Sequence, residues 1–398
     1  MTVSIRTRSP RTVAVAAALA ACLTTTAVAE PINIPAGVIV RLAAPQPGSG
    51  ISSENKHTTW ALNPVDQRLY SIGGDFDSGD SNPQSYRQDQ YSLSISERWA
   101  DRNNPNAGWR REYPYCGPNG GVQPKSPDFI GWTWDSRRQV FWSVPGTFVL
   151  PISAVCSDRT VSGSDDPKYK FRHLMTYNPF EADLTKRWTD HGEDPNGGSR
   201  GENWMAVYDP AGDKLIRFGL NQIVDTYDIA SRSWSTGNVG ANALGRTTRV
   251  YDDMLSTDYV GRKIYVIDGT EARLMRWDMD RDRMDDLGPS PDGPVTPEGN
   301  GYSVWDSVNN VVIFFHFNTR RLHVYHPDTR SWETPQVTLD PPGSDPFVRH
   351  AMVFDASNNV MVMLGNTDSS NRFIYLYRYK AGTANTPTPA APTNLTAQ

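Results

Sequence analysis

Ten residues that could bind or transform a ligand stand just ahead of apolar, strand-like segments of the chain. Four have side chains suited to acid–base chemistry or anion recognition, and we take them as catalytic candidates: His57, Tyr302, Arg349 and His350. The others are suited to binding a ligand: Asp128, Glu202, Asn203, Arg246, Arg249 and Asn300. Arginine pairs with carboxylates, and histidine or glutamate can transfer protons. This set therefore suits an anionic or polyhydroxylated ligand.

Two acidic runs invite a metal interpretation. They are Asp75, Asp77 and Asp80 in the first run, and Asp278, Asp280 and Asp282 in the second. The first run partly imitates a calcium loop, but Gly79 and Asp80 stand in the reverse of the usual order, and no bidentate glutamate closes the loop. The second run falls in a predicted turn, where polar residues are expected in any case. We therefore predict no cofactor and keep calcium as the alternative at the first run.

The segments that follow the candidate residues form an internal repeat. An aromatic or apolar run, an Asp or Asn, a short polar turn and a second apolar run recur six times. The turn residues that align are Asn63, Asp135, Asp209, Asp258, Asp306 and Asp355. The last four are 49, 48 and 49 residues apart. A period of this length is typical of propellers and repeat arrays.

Each repeat predicts a blade of antiparallel strands. An Asp or Asn followed by turn-forming residues lets the chain reverse, and the nearly continuous apolar runs are typical of strands buried on both faces. A second hairpin follows in three repeats, with large residues seven positions apart: Tyr227 and Trp234, Trp277 and Met284, Tyr325 and Trp332. We therefore predict an all-β chain, a β-propeller of six four-stranded blades, with seven blades as the alternative.

These hairpins resemble the kelch family, whose repeat has an apolar strand, a Gly-Gly pair and a Tyr-to-Trp hairpin. The residues that carry the resemblance are Gly73-Gly74, Tyr91 with Trp99, Tyr227 with Trp234, and Tyr325 with Trp332. Elsewhere the Gly-Gly pair is reduced to one glycine, at Gly146, Gly219, Gly269 and Gly365. The resemblance implies a propeller like the central domain of galactose oxidase.

The same resemblance raises the possibility of copper-radical chemistry. Such a site needs a Tyr-His tandem, another histidine and a tyrosine cross-linked to a cysteine. Neither His57 nor His350 follows a tyrosine, and Tyr302 and Cys116 would have to be rearranged around them. The candidate residues therefore argue against copper.

The predicted ring needs a strand to close it. The sixth repeat ends without a tryptophan, and the apolar segment from Gly37 to Leu42 predicts the missing outer strand, which would protect an open sheet edge.

Two long insertions are predicted on one rim of the ring. The insertions at 100–127 and 147–171 carry Cys116 and Cys156. We expect a disulfide between them, because an even pair of cysteines in an exported chain favours one.

The N-terminal residues have the form of an export signal. Basic residues precede an apolar run from Val13 to Leu23, and Ala27-Val28-Ala29 offers a cleavage site. We assign residues 1–29 to this signal. The alternative is a lipobox, Leu19-Ala20-Ala21-Cys22, which would leave a lipidated Cys22 at the mature N-terminus. We expect a secreted or periplasmic protein, with the lipoprotein as the alternative.

The remaining chain divides into one large domain and a short tail. Residues 30–381 are assigned to the propeller. Residues 382–398 are rich in Pro, Thr and Ala and have no apolar periodicity, which is typical of a linker. The stretch from Ala391 to Ala397 resembles the opening strand of a fibronectin type III domain.

Charge and hydropathy limit the partners. The net charge is −5 and the isoelectric point is about 5.8, so no basic patch is evident that could displace counterions from a nucleic acid. After the signal, no segment is long and apolar enough to span a membrane. We expect a monomer that binds an extracellular glycan or protein.

These observations favour an exported binding module that uses the mouth of the channel. The alternative is a carbohydrate-active enzyme at the same face, either a polysaccharide lyase or a galactose-oxidase-like oxidoreductase. The enzyme hypothesis requires His57, Tyr302, Arg349 and His350 to converge around one concave pocket. A purely structural repeat protein, the third possibility, would need no pocket.

Overall fold

A computed structural model describes most of the repeat region and the strand that precedes it. The described residues are 32–43, 59–72, 90–113, 123–124, 131–145, 169–170, 173–195, 205–218, 223–238, 255–267, 273–281, 283–293, 302–316, 318–343, 348–368 and 371–381. None of the helices in this part of the chain has the length and hydropathy of a membrane span.

The strands group into six antiparallel blades, here numbered along the chain. Blade 1 contains β2 (Thr59–Asn63), β3 (Arg68–Ile72), β4 (Gln90–Ser94) and β5 (Trp109–Tyr113). Blade 2 contains β7 (Gly131–Asp135), β8 (Val140–Val144), β10 (His173–Tyr177) and β11 (Trp188–Glu193). Blade 3 contains β12 (Met205–Asp209), β13 (Lys214–Phe218), β14 (Ile223–Asp228) and β15 (Ser233–Asn238).

The second half of the ring repeats this order. Blade 4 contains β16 (Leu255–Asp258), β17 (Lys263–Ile267), β18 (Arg273–Asp278) and β19 (Arg283–Pro289). Blade 5 contains β20 (Tyr302–Asp306), β21 (Val311–His316), β22 (Arg321–His326) and β23 (Ser331–Glu333). Blade 6 contains β25 (Val348–Asp355), β26 (Val360–Asp368), β27 (Asn371–Tyr377) and β1 (Val38–Ala43), with β24 (Thr338–Asp340) beyond β1.

The first strand of each blade lies innermost, and these strands form a closed ring. β2 packs against β7, β7 against β12, β16 against β20, β20 against β25, and β25 against β2. The remaining junction, between blades 3 and 4, is filled by a shared apolar cluster that includes Ile216, Phe218 and Ile264. The protein is therefore a six-bladed β-propeller, as the repeat predicts.

The six aligned Asp and Asn residues close the inner hairpins. In blade 2, the Asp135 carboxylate accepts hydrogen bonds from the backbone N–H groups of Arg137 and Arg138, both at 2.9 Å. The residue four positions after each aligned residue has a positive φ, between 50° and 58°: Gln67, Gln139, Asp213, Arg262, Asn310 and Asn359. A four-residue turn that ends in the left-handed region thus joins the first two strands of every blade.

The predicted outer hairpins of blades 3, 4 and 5 are confirmed. Tyr227 pairs with Trp234, Trp277 with Met284, and Tyr325 with Trp332 in the strand registers. The Tyr and Trp rings lie 5.0 Å apart in blade 3 and 5.2 Å apart in blade 5. These contacts join the third strand of a blade to its outer strand.

The predicted pairing of Tyr91 with Trp99 is wrong. Ser94 caps a short helix, α1 (Ile95–Ala100), by accepting a hydrogen bond from the Glu97 N–H group, and Trp99 lies in that helix. The outer strand of blade 1 is β5, so the segment assigned to an insertion after residue 100 contains the fourth strand of the blade. Leu93 pairs with Trp109 instead.

The predicted closing strand is confirmed. β1 pairs antiparallel with β27 from Ile39 to Ala43 and becomes the fourth strand of blade 6. The guanidinium of Arg378 adds a second link, because it donates to the carbonyl oxygens of Ile34 at 2.8 Å and Ile32 at 2.6 Å. β24 lies parallel to β1 on its other side, so the closing strand has a partner on both edges.

Candidate functional site

The propeller has two unlike faces. The four-residue turns that join the first and second strands of a blade lie at one face, which we call the turn face. Because neighbouring strands are antiparallel, each blade's second strand ends and its third strand begins at the opposite face. In blades 1 to 5 the chain also enters and leaves there. We call this the loop face.

Contacts between turns hold neighbouring blades together at the turn face. Arg138 of blade 2 donates to the Asp213 carboxylate of blade 3 at 2.7 and 2.8 Å. The Ser357 hydroxyl of blade 6 donates to the Gln67 side-chain oxygen of blade 1 at 2.5 Å. These links tie neighbouring blades together at the turn face.

Most of the predicted site residues lie outside the described residues. They are His57, Asp128, Glu202, Asn203, Arg246, Arg249 and Asn300, with the calcium-run residues Asp75, Asp77 and Asp80 and the cysteines Cys116 and Cys156. Tyr302 is described, and its ring packs in the apolar cluster between blades 5 and 6, with 5% of the residue exposed. The structure thus puts Tyr302 at the loop-face end of β20.

The innermost strand of blade 6 is irregular where it carries two predicted site residues. Val348 pairs with Gly365, whereas Ala351 pairs with the adjacent Leu364. Arg349 and His350 therefore lie in a bulge, outside the regular ladder. The bulge is at the loop-face end of β25. Bulges that re-aim side chains are enriched beside functional sites.

A buried ion cluster joins blades 2 and 3 at the loop-face end. Arg217 of β13 donates to Asp194, which follows β11, and to Asp225 of β14 at 2.7 Å. All three side chains are fully buried. The guanidinium also lies over the Trp234 ring, 4.3 Å from its centroid. Because breaking such a cluster leaves a buried charge, it fixes how the two blades meet.

A second buried polar cluster lies at the loop-face end of blade 5. His323 is fully buried; its Nε2 lies 2.9 Å from Asp292, which follows β19, and its Nδ1 lies 2.9 Å from the Thr334 hydroxyl. Burial lowers the pKa of His323, although the hydrogen bond with Asp292 opposes this effect. The Thr319 hydroxyl also donates to Asp292 at 2.5 Å. The cluster ties the linker from blade 4 to blade 5.

Sequence reasoning missed both clusters, although each leaves a signal. Arg217 and His323 each lie between buried apolar neighbours in their strands, Ile216 and Phe218 in β13 and Leu322 and Val324 in β22. A charged or polar side chain in such a strand needs a buried partner. The partners come from other strands and linkers, and the sequence alone does not identify them.

A short parallel pair brings the two insertions together. β6 (Gln123–Pro124) pairs with β9 (Tyr169–Lys170). The first lies in the segment that follows blade 1, and the second lies in the segment that interrupts blade 2. The described ends of the two insertions are therefore neighbours, as their predicted place on one rim requires.

The described residues of the second acidic run stabilise a turn. Asp278 accepts from the N–H groups of Asp280 and Arg281, both at 3.1 Å, and pairs with Lys263 at 2.9 Å. Asp282 lies outside the described residues. In the part of the chain that the structure covers, no group of three or more His, Cys, Asp or Glu side chains is arranged to hold a metal.

The sequence contains one Tyr-His dipeptide, Tyr325-His326. Tyr325 is buried against Trp332, and the His326 Nε2 lies 3.1 Å from the Glu333 carboxylate. The Tyr379 hydroxyl donates to the same carboxylate at 2.6 Å. The dipeptide thus lies in the outer half of blade 5, away from His57 and His350 in the chain.

Comparison with known proteins gives only distant likenesses. No family model and no curated protein matches the sequence, so membership of the kelch family is not confirmed. An auxiliary nutrient binding protein from Bacteroides thetaiotaomicron is similar at 9% identity over 85% of this chain and 76% of that chain, with a TM-score of 0.49. A streptogramin B lyase structure is similar at 12% identity over 87% of this chain and 95% of that chain, with a TM-score of 0.40.

A structural genomics protein of unknown function from Bacteroides thetaiotaomicron is also similar. It is 12% identical over 80% of this chain, with a TM-score of 0.39, and this chain spans 58% of its length. At such identities and scores these likenesses carry no argument about function. The fold assignment rests on the strand topology described above.

Proposed function

We propose that this protein is a binding module that holds a glycan at its loop face. The observation that carries the proposal is the bulge in β25, which takes Arg349 and His350 out of the ladder at the loop-face end of an innermost strand. Functional residues commonly lie on irregular segments held by a rigid scaffold.

A buried amide at the same face supports the proposal. Gln90 begins β4 at the loop-face end of blade 1 and is 1% exposed. Neither its side-chain nitrogen nor its side-chain oxygen has a hydrogen-bond partner among the described residues. A buried amide in this state calls for a water molecule or a ligand to bond with.

The chemistry of the predicted residues favours a glycan. Asp128, Glu202, Asn203 and Asn300 can exchange hydrogen bonds with sugar hydroxyls, and Arg249 and Arg349 can pair with carboxylates. The buried clusters around Arg217 and His323 hold the blades together at the loop-face end, so a ligand at that face would not have to order the blades themselves.

A glycan array with the purified full chain, followed by calorimetry on the best ligand, tests the proposal. We expect Arg349→Ala to weaken binding about tenfold or more, because a charge-assisted hydrogen bond is worth roughly 1.5–3 kcal/mol. Arg102→Ala, which removes an exposed arginine beside α1, is the matched control and should bind as wild type. Unchanged affinity in Arg349→Ala, or binding to proteins and to no glycan, contradicts the proposal.

The same preparation separates binding from catalysis. Incubation with the bound polysaccharide, followed by chromatography of the sugars, detects cleavage or oxidation. Unchanged chain length and oxidation state are the expected result for a binding module. Turnover that is lost in His350→Ala would instead establish an enzyme.

The proposal includes export and a disulfide, which rest on the sequence. We expect the mature chain to begin at Glu30 and Cys116 to be bridged to Cys156, and mass spectrometry of protein from the expressing cell tests both. A lipidated Cys22 at the N-terminus would replace cleavage after Ala29. Full alkylation of both cysteines without a reductant would exclude the bridge.

A further inference from the structure

Two clefts open on the outer edge of the propeller, on the side of the turn face. The 4/5 cleft has a volume of about 700 Å³ and is lined by four arginines with Met284, Asp285, Asp286 and Leu287. The arginines are Arg276, Arg281, Arg283 and Arg330. Arg276 and Arg283 belong to the outer strands of blade 4, whereas Arg281 and Arg330 belong to the outer turns of blades 4 and 5. The cleft therefore lies across a blade junction.

The acidic residues of the 4/5 cleft are already paired. Asp285 accepts from Arg276 and Arg283, both at 2.9 Å, and Asp286 pairs with Arg273 at 2.8 Å. The hydrogen bond from Arg276 holds the pKa of Asp285 below its usual value. The Asp285 and Asp286 carboxylates thus orient the arginines that they pair with.

Two guanidinium groups of the 4/5 cleft have no close carboxylate partner among the described residues. Among the described residues, the one ion-pair contact of Arg281 is a long one with Asp278, at 3.8 Å, and its side chain is 77% exposed. Arg330 is exposed and makes no ion pair with any residue in the described part of the chain. An anion entering the 4/5 cleft would thus meet two positive groups that are not neutralised.

The position of Arg330 is set by the backbone. It ends the outer turn of blade 5 with a φ of 52°, two residues before Trp332. Arg232 occupies the matching place in blade 3, with a φ of 54°, two residues before Trp234. Both arginines belong to the sequence Arg-Ser-Trp.

The second cleft repeats this arrangement two junctions earlier, between blades 2 and 3. The 2/3 cleft has a volume of about 450 Å³ and brings Arg232 of blade 3 to Arg138, Trp142, Thr176 and His191 of blade 2. The His191 ring lies 4.6 Å from the Trp142 ring, and its Nε2 lies 2.9 Å from the Thr176 hydroxyl. Burial first, and then the charge of Arg232, lower the pKa of His191.

We infer that the two clefts bind carboxylate or sulfate groups of a linear acidic polysaccharide along the outer edge of the propeller. Guanidinium forks match the geometry of both groups and bind them more strongly than neutral hydroxyls. A chain with regularly repeated anions can occupy both clefts, whereas a single small anion cannot. Double occupancy raises the overall affinity through effective concentration.

The negative net charge of the protein means that a polyanion would bind at the arginine clefts and not to the surface in general. With a net charge of −5, the surface as a whole does not attract a polyanion, so binding must depend on the arginine clefts. This separates the inference from the proposed function, which concerns the opposite face and different residues.

Titration of the full chain with polygalacturonate and with dextran sulfate tests the inference, with neutral dextran and single-stranded DNA as comparison ligands. We expect the double variant Arg281→Ala/Arg330→Ala to lose at least about tenfold in affinity, and we expect wild-type affinity to fall steeply with salt. Adding Arg232→Ala should weaken binding further.

The matched control is Arg102→Ala/Lys186→Ala. Like the double variant, it removes two positive charges, but from exposed positions outside both clefts. It should bind as wild type. Thermal unfolding of every variant checks that the propeller is intact. The inference would be overturned if the double variant bound with wild-type affinity, or if the control lost as much affinity as the double variant. It would also be overturned if neither acidic polysaccharide bound, or if DNA bound as tightly as the polysaccharides and lost as much affinity in the same variants.

Discussion

Arg262 of blade 4 donates two hydrogen bonds to Asp209 of blade 3, at 2.7 and 3.2 Å. Asp209 is one of the six aligned turn residues, and its carboxylate is fully buried. It also accepts from the Ala211 N–H group at 3.0 Å. The residue that closes one hairpin thus anchors the left-handed residue of the next blade's hairpin.

We expect Arg262→Ala to lower the free energy of unfolding by about 2–4 kcal/mol, because a buried carboxylate loses its charged partner. Burial alone would raise the pKa of Asp209, but hydrogen bonds from Arg262 and the backbone lower it overall. Urea unfolding measures the loss, with Arg102→Ala as the control. An effect no larger than that of the control would show that the pair does not hold blades 3 and 4 together.

Gly131 allows the innermost strands of blades 2 and 3 to approach each other. A Cβ atom at this position would lie 2.6 Å from the Ala206 Cβ and 3.0 Å from the Ala206 nitrogen. We expect Gly131→Ala to cost roughly 1–3 kcal/mol by overpacking, and Ala206→Gly to recover part of that cost in the double variant. Strictly additive effects in this double-mutant cycle would mean that the strands separate without strain.

The left-handed residue at the end of a turn can be tested by comparing two substitutions at one position, Gln139. Gln139 is exposed and has a φ of 55°. A β-branched residue is strained there, so we expect Gln139→Val to destabilise the protein by about 1–2 kcal/mol, whereas Gln139→Gly should be nearly neutral. Thermal unfolding of the two variants distinguishes them. Equal stability would indicate that this turn can change conformation.

Arg378 should control the closing strand. It donates to four backbone carbonyl groups, those of Ile32, Ile34, Asn358 and Asn359, at 2.6 to 3.2 Å. We expect Arg378→Ala to speed amide hydrogen exchange in β1 about tenfold or more, because a charged donor to several buried carbonyls is lost. Exchange in β13 should be unchanged. Uniform acceleration in all blades would mean that the ring opens only as a whole.

Two histidines predict how stability depends on pH. Burial lowers the pKa of both His191 and His323, so the unfolded chain binds more protons than the folded one below about pH 6.5. The neutral, buried histidines therefore contribute their full stabilisation of the folded state above about pH 6.5. This contribution is lost as the pH falls below that value and through the lowered pKa values of the two histidines in the folded protein. Unfolding free energies between about pH 7 and pH 5 should fall less in His323→Gln and in His191→Gln than in wild type. An identical slope in the variants would rule out these residues as the source.

The local rules of the repeat could be predicted from the sequence, whereas its interruptions could not. The Asp209, Asp258, Asp306 and Asp355 turns, the Tyr227 and Tyr325 hairpins and the strand that begins near Val38 follow from residue patterns that act over a few positions. Blade 1 departs from the pattern because Ser94 starts a helix, so Trp109 replaces Trp99 at the outer strand. A capping serine is too common a feature to reveal this change.

Blade 2 shows the same limit. Tyr177 pairs with Trp188, the hairpin contact of the other blades, but a 3₁₀ helix (Leu184–Lys186) lengthens the connection between them. The buried clusters at the loop-face end are even harder to predict from the sequence than the blades. Arg217 and His323 could be flagged as polar residues in apolar strands, but Asp194 and Asp292, their partners, come from linkers whose position depends on the whole ring.

The pairing of β1 with β27 sets the order in which the protein can mature. During synthesis, blades 1 to 5 can each pair their own strands as they emerge, but β1 has no antiparallel partner until Phe373 to Tyr377 have been made. Joining segments so far apart carries the largest loop-closure entropy in the molecule, and long-range pairing of this kind is slow. A ribosome-bound chain that lacks the last strand is therefore an open arc with an exposed edge, vulnerable to aggregation until its two ends meet.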